Sequence, residues 1–255
     1  IVVPSKAFVE VLLALKPHLT AKHRIIWATK GLEPERGRFL HKVVIELLGE
    51  KQQFAILAGP SFAKEVAQQL PTAVTIATTD QKFGQDLLGY FHCDNFRVYI
   101  SDDVVGVQVG GVIKNILAVA AGLSDGLGFG ANARAALITR GIAEMMRFGV
   151  SVGARIETLQ GLAGIGDIIL TCTDNQSRNR RFGLALAHGK NIDEAQEEIG
   201  QVVEAVSNTE EIQKIAAEKG IEMPIAEQLH KILIGQVTPQ QAVNNLISRK
   251  PSYER

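Results

Sequence analysis

A lysine stands at the centre of the most apolar stretch of the sequence. Residues 104–125 (VVGVQVGGVIKNILAVAAGLSD) are apolar on every side of a helix and carry Lys114. The residues that share its helical face are small: Gly110, Gly111 and Ala118. We therefore expect space for a ligand beside the ammonium. Burial lowers the pKa of a lysine, which suits a group that donates and recovers a proton. The alternative is a lysine whose stem packs on apolar surface while its ammonium reaches solvent.

A second group of polar side chains opens a predicted helix. Residues 174–181 (DNQSRNRR) concentrate hydroxyl, amide and guanidinium donors. A helix N-terminus already offers free N–H groups and a positive dipole, so Ser177, Arg178 and Asn179 would form a phosphate cradle. An N-cap followed by a solvated basic face is the alternative.

Three further positions place polar groups near the same predicted cleft. Asp167 follows a glycine-rich run and could orient Lys114, bind a substrate hydroxyl or act as a helix cap. Lys30 follows a predicted strand, and the turn Gly59-Pro60-Ser61 follows another. The carboxyl ends of parallel strands are where open α/β sheets bind ligands.

The elements that must position these groups fall into two parts. We predict strands at 1–3, 24–29, 54–58, 72–78 and 96–100, and helices at 5–19, 33–48, 62–69 and 80–91. This alternation is typical of an α/β domain with a parallel, Rossmann-type sheet over residues 1–103. After residue 103 we predict helices at 104–124, 131–148, 155–162 with a continuation near 164–171, 178–188, 192–199, 207–219, 224–234 and 238–246. Part of 168–171 could instead be a strand. Residues 104–255 therefore form an all-helical domain, closely packed on the first.

Composition narrows the possible functions. The 255 residues contain 27 Lys and Arg against 27 Asp and Glu, so no overall charge favours nucleic acid or an anionic membrane. Two cysteines indicate a reducing compartment, and no apolar run reads as a membrane span, so we expect a cytoplasmic protein. The spacing of Cys and His predicts no metal site.

Six motifs, taken together, resemble bacterial NAD(P)-dependent glycerol-3-phosphate dehydrogenase. They are WATKGLE (27–33), GPSFAKE (59–65), GGVIKN (110–115), GFGANARAALITRG (128–141), LAGIGDIILTCTDNQSRNRRFG (162–183) and GQVVEA (200–205). The resemblance implies a dinucleotide-binding domain, a helical domain and the reversible reduction of dihydroxyacetone phosphate to sn-glycerol 3-phosphate with NAD(P)H, for phospholipid synthesis. It also implies a homodimer.

The resemblance also assigns roles to matching positions. Lys114 corresponds to the catalytic proton donor and acceptor. Substrate positions fall on Lys30, Gly59, Ser61, Lys114, Asp167, Ser177, Arg178 and Asn179. Cofactor positions fall on Lys30, Ala63, Arg178, Val202 and Glu204.

The sequence departs from this family at two points. Ala205 stands where the family continues VVEG. The glycine-rich turn that binds a dinucleotide pyrophosphate, and the residue that selects NAD or NADP, are absent. The first strands of the dinucleotide domain are therefore missing from the chain, and we expect it to be part of a longer protein.

Two other functions compete with this hypothesis. A β-hydroxyacid dehydrogenase would carry an asparagine one helical turn after its lysine, where this sequence has Ala118, with Asn115 adjacent to the lysine instead. A chain without its first strands could alternatively be an inactive module that binds a phosphorylated ligand.

Overall fold

The computed structural model describes residues 1–34 and 36–249, and it contains a small sheet followed by a large helical assembly. The strands are β1 (Ile25–Trp27), β2 (Phe54–Ala58), β3 (Thr72–Ala77) and β4 (Phe96–Ser101). The helices among the strands are α1 (Ser5–Leu15), α2 (Leu40–Leu48), α3 (Ala63–Ala67) and α4 (Gln81–Phe91). The helices that follow are α5 (Val104–Gly126), α6 (Gly130–Ser151), α7 (Ile156–Gln160), α8 (Asp167–Thr173), α9 (Arg178–Ala187), α10 (Ile192–Ile199), α11 (Ala205–Lys219), α12 (Pro224–Leu233) and α13 (Pro239–Ile247). An α/β part followed by a helical part is thus confirmed.

The sheet is mixed rather than wholly parallel. Its order is β1-β2-β3-β4, and β1 pairs with β2 and β3 with β4 in parallel, whereas β2 and β3 are antiparallel. A parallel connection needs a crossover that lies on the sheet. Between β2 and β3 the chain has only the five-residue α3, whose residues are all exposed or half-buried. Because α3 is too short and too exposed to serve as a crossover on the sheet, β3 runs antiparallel to β2.

Several element boundaries differ from the sequence prediction. Residues 1–3 run beside β1, where the carbonyl of Ile1 accepts the N–H of Ala28, but they are not a strand. Pro4 follows them, and a proline cannot donate to a sheet. The helix predicted over 5–19 ends at Leu15 and continues as a 3₁₀ turn, Lys16–His18, that contains Pro17.

The helix predicted over 33–48 begins only at Leu40. The residues before it close a loop in which Leu32 bridges to Phe39 and Gly37 has a φ of +61°. Within that loop the Arg38 guanidinium binds both carboxylate oxygens of Glu33, at 2.5 and 2.8 Å. This bidentate ion pair favours the loop over the first helical turns. The possible strand within 168–171 is likewise wrong, because these residues belong to α8.

Helix α5 is the centre of the helical part. Its residues from Gly106 to Ser124 are all buried, and α6, α8, α9, α11 and α12 pack around it. By length and composition α5 could cross a membrane, which corrects the expectation from sequence, but 94% of its most apolar stretch is buried inside the protein. Its apolar character therefore reflects its place in the core.

Glycines let α5 and α9 approach each other closely. A Cβ atom added to Gly183 would lie 2.1 Å from the carbonyl oxygen of Val119, and one added to Gly122 would lie 2.1 Å from that of Arg180. Both obstacles are backbone atoms, which cannot rotate away. Since α9 carries the predicted phosphate cradle and α5 carries Lys114, this contact sets the distance between them.

We expect Gly183→Ala to lower the free energy of unfolding by about 1–3 kcal/mol or more, because overpacking a rigid contact forces the helices apart. Urea denaturation measures this. Gly89→Ala is the matched control, since its added Cβ meets nothing within 4 Å on the exposed face of α4. It should be neutral or stabilising by up to about 1 kcal/mol, from helix propensity. Equal effects of the two substitutions would contradict the close-contact argument.

Candidate functional site

A carboxylate lies between two lysines at the base of the site. The Nζ of Lys114 donates to Oδ1 of Asp167 at 2.7 Å, and the Nζ of Lys30 donates to Oδ2 at 2.7 Å. The side chain of Asp167 is 1% exposed, against 10% for Lys114 and 19% for Lys30. The sequence hypothesis that Asp167 orients Lys114 agrees with this geometry, which makes Asp167 a partner of the lysines rather than a surface group.

Each member of this cluster comes from a different part of the fold. Lys30 follows β1, Lys114 lies halfway along α5, and Asp167 opens α8. Before α8, residues Leu162–Gly166 form a π-helical turn that rests against α5. Such turns often occur at functional sites.

The space next to the glycines beside Lys114 is filled by other parts of the protein. A Cβ atom on Gly110 would lie 2.0 Å from the carbonyl oxygen of Ala163, and one on Gly111 would lie 3.5 Å from the Cβ of Lys30. The expected space on this face therefore admits the π-helical turn and the stem of Lys30. Lys114 also lines a cleft, and a ligand could reach its side chain from there.

The three groups of this cluster differ in the direction in which their pKa values are shifted. Burial lowers the pKa of Lys114 to about 7; attraction to Asp167 opposes this change, and repulsion from Lys30 adds to it. Burial also disfavours the charged form of Lys30, but the carboxylate of Asp167 outweighs it and raises the pKa of Lys30. Burial tends to raise the pKa of Asp167, yet the two ammoniums hold it below its usual value. The arrangement thus supplies one permanent cation and one lysine that can exchange a proton near neutrality.

A cleft of about 650 Å³ opens above the two lysines. Its walls include nine of the residues predicted from sequence: Lys30, Ser61, Ala63, Lys114, Ser177, Arg178, Asn179, Val202 and Glu204. Gly59 and Asp167 lie behind this wall. The carbonyl of Gly59 accepts from the Nζ of Lys30 at 3.3 Å, so both positions reach the cleft through a lysine.

The predicted phosphate cradle is in part a helix cap. The Oγ of Ser177 accepts the N–H of Arg180 at 3.2 Å and so caps α9, while its hydroxyl hydrogen stays available. Asn179 is buried; its amide donates to the Oδ1 of Asn115 at 2.9 Å. Arg178 is exposed on the cleft wall. The structure therefore shows the N-cap. The phosphate cradle stays a prediction, and the cap is compatible with it because it leaves Arg178 on the cleft wall.

Glu204 joins the two parts of the chain on the opposite wall. One of its oxygens accepts the N–H of Ser5 at 3.2 Å, and the other accepts the amide of Asn115 at 3.3 Å. Burial raises its pKa, while the Ser5 hydrogen bond and the charges of Arg178 and Lys114 oppose the change.

Sequence reasoning assigned no role to several residues that the structure brings to the site, among them Asn115, Thr171, Gln176 and Arg181. Asn115 links Glu204 to Asn179, and Thr171 donates to Asp167 at 3.3 Å. Gln176 and Arg181 also line the cleft. Helical spacing could have revealed Thr171, which lies one turn after Asp167. Asn115 had no such signal, since its partners lie 64 and 89 residues away.

The cleft has the donors that an anionic dinucleotide requires. Lys30 and Lys64, which follow β1 and β2, line it together with Arg178 and Arg181 of α9. The Nε of Arg181 is buried and has no hydrogen-bond partner within the described structure, so an entering anion could satisfy it. Over residues 1–34 and 36–249, no group of three Cys, His, Asp or Glu side chains could hold a metal ion.

An α/β part whose strand ends face a helical part across a cationic cleft, with a buried lysine of lowered pKa at its base, is the arrangement expected of a dinucleotide-dependent dehydrogenase. Comparisons with known proteins specify the family. The model of the NAD-dependent glycerol-3-phosphate dehydrogenase N-terminus matches residues 1–84, and that of the C-terminus matches 103–244. The chain belongs to the NAD-dependent glycerol-3-phosphate dehydrogenase family.

Proteins of this family match the chain in sequence and in structure over nearly its whole length. The glycerol-3-phosphate dehydrogenase [NAD(P)+] of Psychromonas ingrahamii is 56% identical over 255 residues, which are all of this chain and 76% of that protein. The crystal structure of glycerol-3-phosphate dehydrogenase from Coxiella burnetii has a TM-score of 0.94 and 53% identity, and the match covers 97% of this chain and 76% of that one. The enzyme from Saccharomyces cerevisiae has a TM-score of 0.83 and 28% identity, covering 95% and 74%.

We expect Asp167→Asn to lower the free energy of unfolding by about 3–5 kcal/mol, because it leaves two buried ammoniums without their counter-charge. Urea denaturation at pH 7 measures the loss. Asp193→Asn, on the exposed side of α10, is the control and should cost at most about 1 kcal/mol through the helix dipole. If Asp167→Asn cost no more than this control, the charged cluster would not be what holds the site together.

Proposed function

We propose that this chain carries out the reversible reduction of dihydroxyacetone phosphate to sn-glycerol 3-phosphate with NAD(P)H. The observation that carries the proposal is the Lys114–Asp167–Lys30 cluster beneath a cleft whose far wall is the capped N-terminus of α9. The cluster offers a proton for a carbonyl oxygen, and the helix end offers donors for a phosphate. Membership of the family and the relatives' activity support the same reaction.

The chemistry divides between the cofactor and the chain. A nicotinamide held in the cleft would supply the hydride for reduction and accept it in oxidation. Lys114, in its ammonium form, donates a proton to the carbonyl oxygen during reduction and, as the neutral amine, removes it from the hydroxyl during oxidation. Its lowered pKa makes both forms accessible near neutral pH. Asp167 holds the Nζ of Lys114 in place, and Lys30 keeps a positive charge beside the developing oxyanion.

The phosphate of the substrate would lie against the start of α9. Arg178 supplies a guanidinium, the hydroxyl of Ser177 can donate, and the free N–H groups of the helix add a positive field. Asn179 is already bound to Asn115, so it positions Asn115 more than it faces the ligand directly. Fixing the phosphate, which does not react, orients the carbonyl toward Lys114.

Residues for the cofactor lie on both walls of the cleft. We assign Lys30, Ala63, Arg178, Val202 and Glu204 to the end of the dinucleotide that carries the nicotinamide. The glycine-rich turn for the pyrophosphate is absent from this sequence, so these residues would hold only part of the cofactor.

The remaining expectations from sequence stay proposals. They are a domain boundary near residue 103, glycerol phosphate supply for phospholipid synthesis, a cytoplasmic location and a homodimer. The start of α5 at Val104 is compatible with the domain boundary. The two free cysteines are compatible with a cytoplasmic location. Sedimentation equilibrium of the full-length protein measures the oligomeric state.

We expect Lys114→Ala to lower kcat by at least about 100-fold, because it removes the proton donor, with only a modest loss of substrate binding. Arg178→Ala should instead raise KM for dihydroxyacetone phosphate by about tenfold or more, through the lost charged hydrogen bonds. Steady-state oxidation of NADPH and NADH by the full-length protein measures both. An unchanged kcat in Lys114→Ala would remove Lys114 from the mechanism. Binding of glycerol 3-phosphate without any turnover in the unmodified protein would favour an inactive binding module.

We expect the two directions of the reaction to respond to pH in opposite ways. Reduction needs the ammonium of Lys114, so kcat should be constant below about pH 7 and fall above it. Oxidation needs the free amine, so its kcat should rise toward about pH 7 and then level off. Lys30→Met removes a repelling charge and should move both inflections to higher pH. Inflections that stay in place in this variant would show that Lys30 does not tune Lys114.

A further inference from the structure

One exposed hydrogen bond joins two segments that line the cleft. The Nε2 of Gln176 donates to the Oε1 of Glu65 at 2.8 Å, across 111 residues of sequence. Glu65 belongs to α3, in the segment that joins β2 to β3, which we term the strap (residues 59–71). Gln176 belongs to the turn before α9. The strap and this turn form facing walls of the same cleft.

The strap is fixed at its ends and loosely held between them. At its start, Gly59 has a φ of +126°, and a Cβ there would lie 3.2 Å from the backbone of Val74, so this end rests on the sheet. At its far end, the N–H of Thr72 donates to the carbonyl of Asn95 at 2.9 Å. Between them, every residue of α3 is exposed or half-buried. A segment with little buried surface opens at low free-energy cost.

The turn that carries Gln176 is rigid by comparison. The N–H of Gln176 donates to the side chain of Asp174 at 2.7 Å, and the N–H of Ser177 donates to the carbonyl of Asp174 at 3.2 Å. Ser177 in turn caps α9, which packs tightly on α5. Gln176 is therefore a fixed point, while Glu65 lies on the part that can move.

We propose that Gln176 and Glu65 are positioning residues whose hydrogen bond holds the strap closed over the cleft. Closure brings Ser61 and Ala63 toward the donors of α9, and so completes the enclosure of a phosphorylated substrate. Opening the strap would admit the substrate and release the product. The inference rests on the proposed function for its effect on turnover, but the closed strap itself can be tested without a substrate.

Hydrogen–deuterium exchange of the full-length protein tests the closure directly. The N–H groups of Val66, Gln68, Gln69 and Leu70 are bonded within the strap, so their exchange reports the local unfolding by which the strap opens. Gln176→Ala should speed their exchange by about threefold to tenfold, as expected for the loss of one ordinary, solvent-exposed hydrogen bond. Asn175→Ala, at the exposed neighbouring position, is the control and should leave the exchange unchanged.

Swapping the side chains of Gln176 and Glu65 distinguishes the loss of this hydrogen bond from a general loss of structure. Gln176→Glu places two carboxylates together and should open the strap further than Gln176→Ala. Combining it with Glu65→Gln restores an amide and a carboxylate, and should return the exchange to that of the unmodified protein. Unchanged exchange in Gln176→Ala, or failure of the double variant to recover, would overturn the proposal.

Kinetics then connect the strap to catalysis. Gln176→Ala should raise KM for dihydroxyacetone phosphate by about threefold to tenfold while kcat stays within about twofold or rises, because opening weakens enclosure without altering Lys114. A fall in kcat at unchanged KM would contradict the positioning role. A protein that shows the exchange pattern but no turnover would keep the strap and refute the proposed reaction, so the two failures remain distinct.

Discussion

The rest of the structure depends on the pairing of one buried carboxylate with two ammonium groups. Ionised groups that lose their water are stable only when partners replace it, and Asp167 has both oxygens engaged by lysines. Because Lys30 follows β1 while Lys114 and Asp167 lie on helices, the cluster also fixes the α/β part against the helical part. The same contacts that make burial tolerable therefore align the two walls of the cleft.

Close backbone contact is the second constraint. Gly122 and Gly183 allow α5 and α9 to touch, and Gly111 leaves room for the stem of Lys30. A larger residue at Gly122 or Gly183 would move the capped start of α9 away from Lys114. The distance between Lys114 and the start of α9 is thus determined by glycines that carry no functional side chain.

Basic side chains are concentrated in one cleft, although the formal net charge of the chain is zero. The 27 basic and 27 acidic residues cancel, yet lysine and arginine side chains collect around one cleft. Such a site attracts a small anion without making the whole surface cationic. Within that cleft the pKa of Lys30 is raised by Asp167, whereas burial lowers the pKa of Lys114 to about 7.

The sequence by itself determined the local features: the buried helix around Lys114, the capped start of α9 at Ser177 and the bounds of α10, because side-chain periodicity and helix caps act over a few residues. It also placed Asp167 among the candidates. Only the tertiary structure decided that Asp167 bridges Lys114 and Lys30, since Asp167 and Lys30 are 137 residues apart in sequence. It also decided that β3 runs antiparallel to β2. Asn115 and the Glu65–Gln176 contact likewise depend on how distant segments pack. Periodicity shows which face of an element is buried, but the partner that covers that face is set by the whole fold.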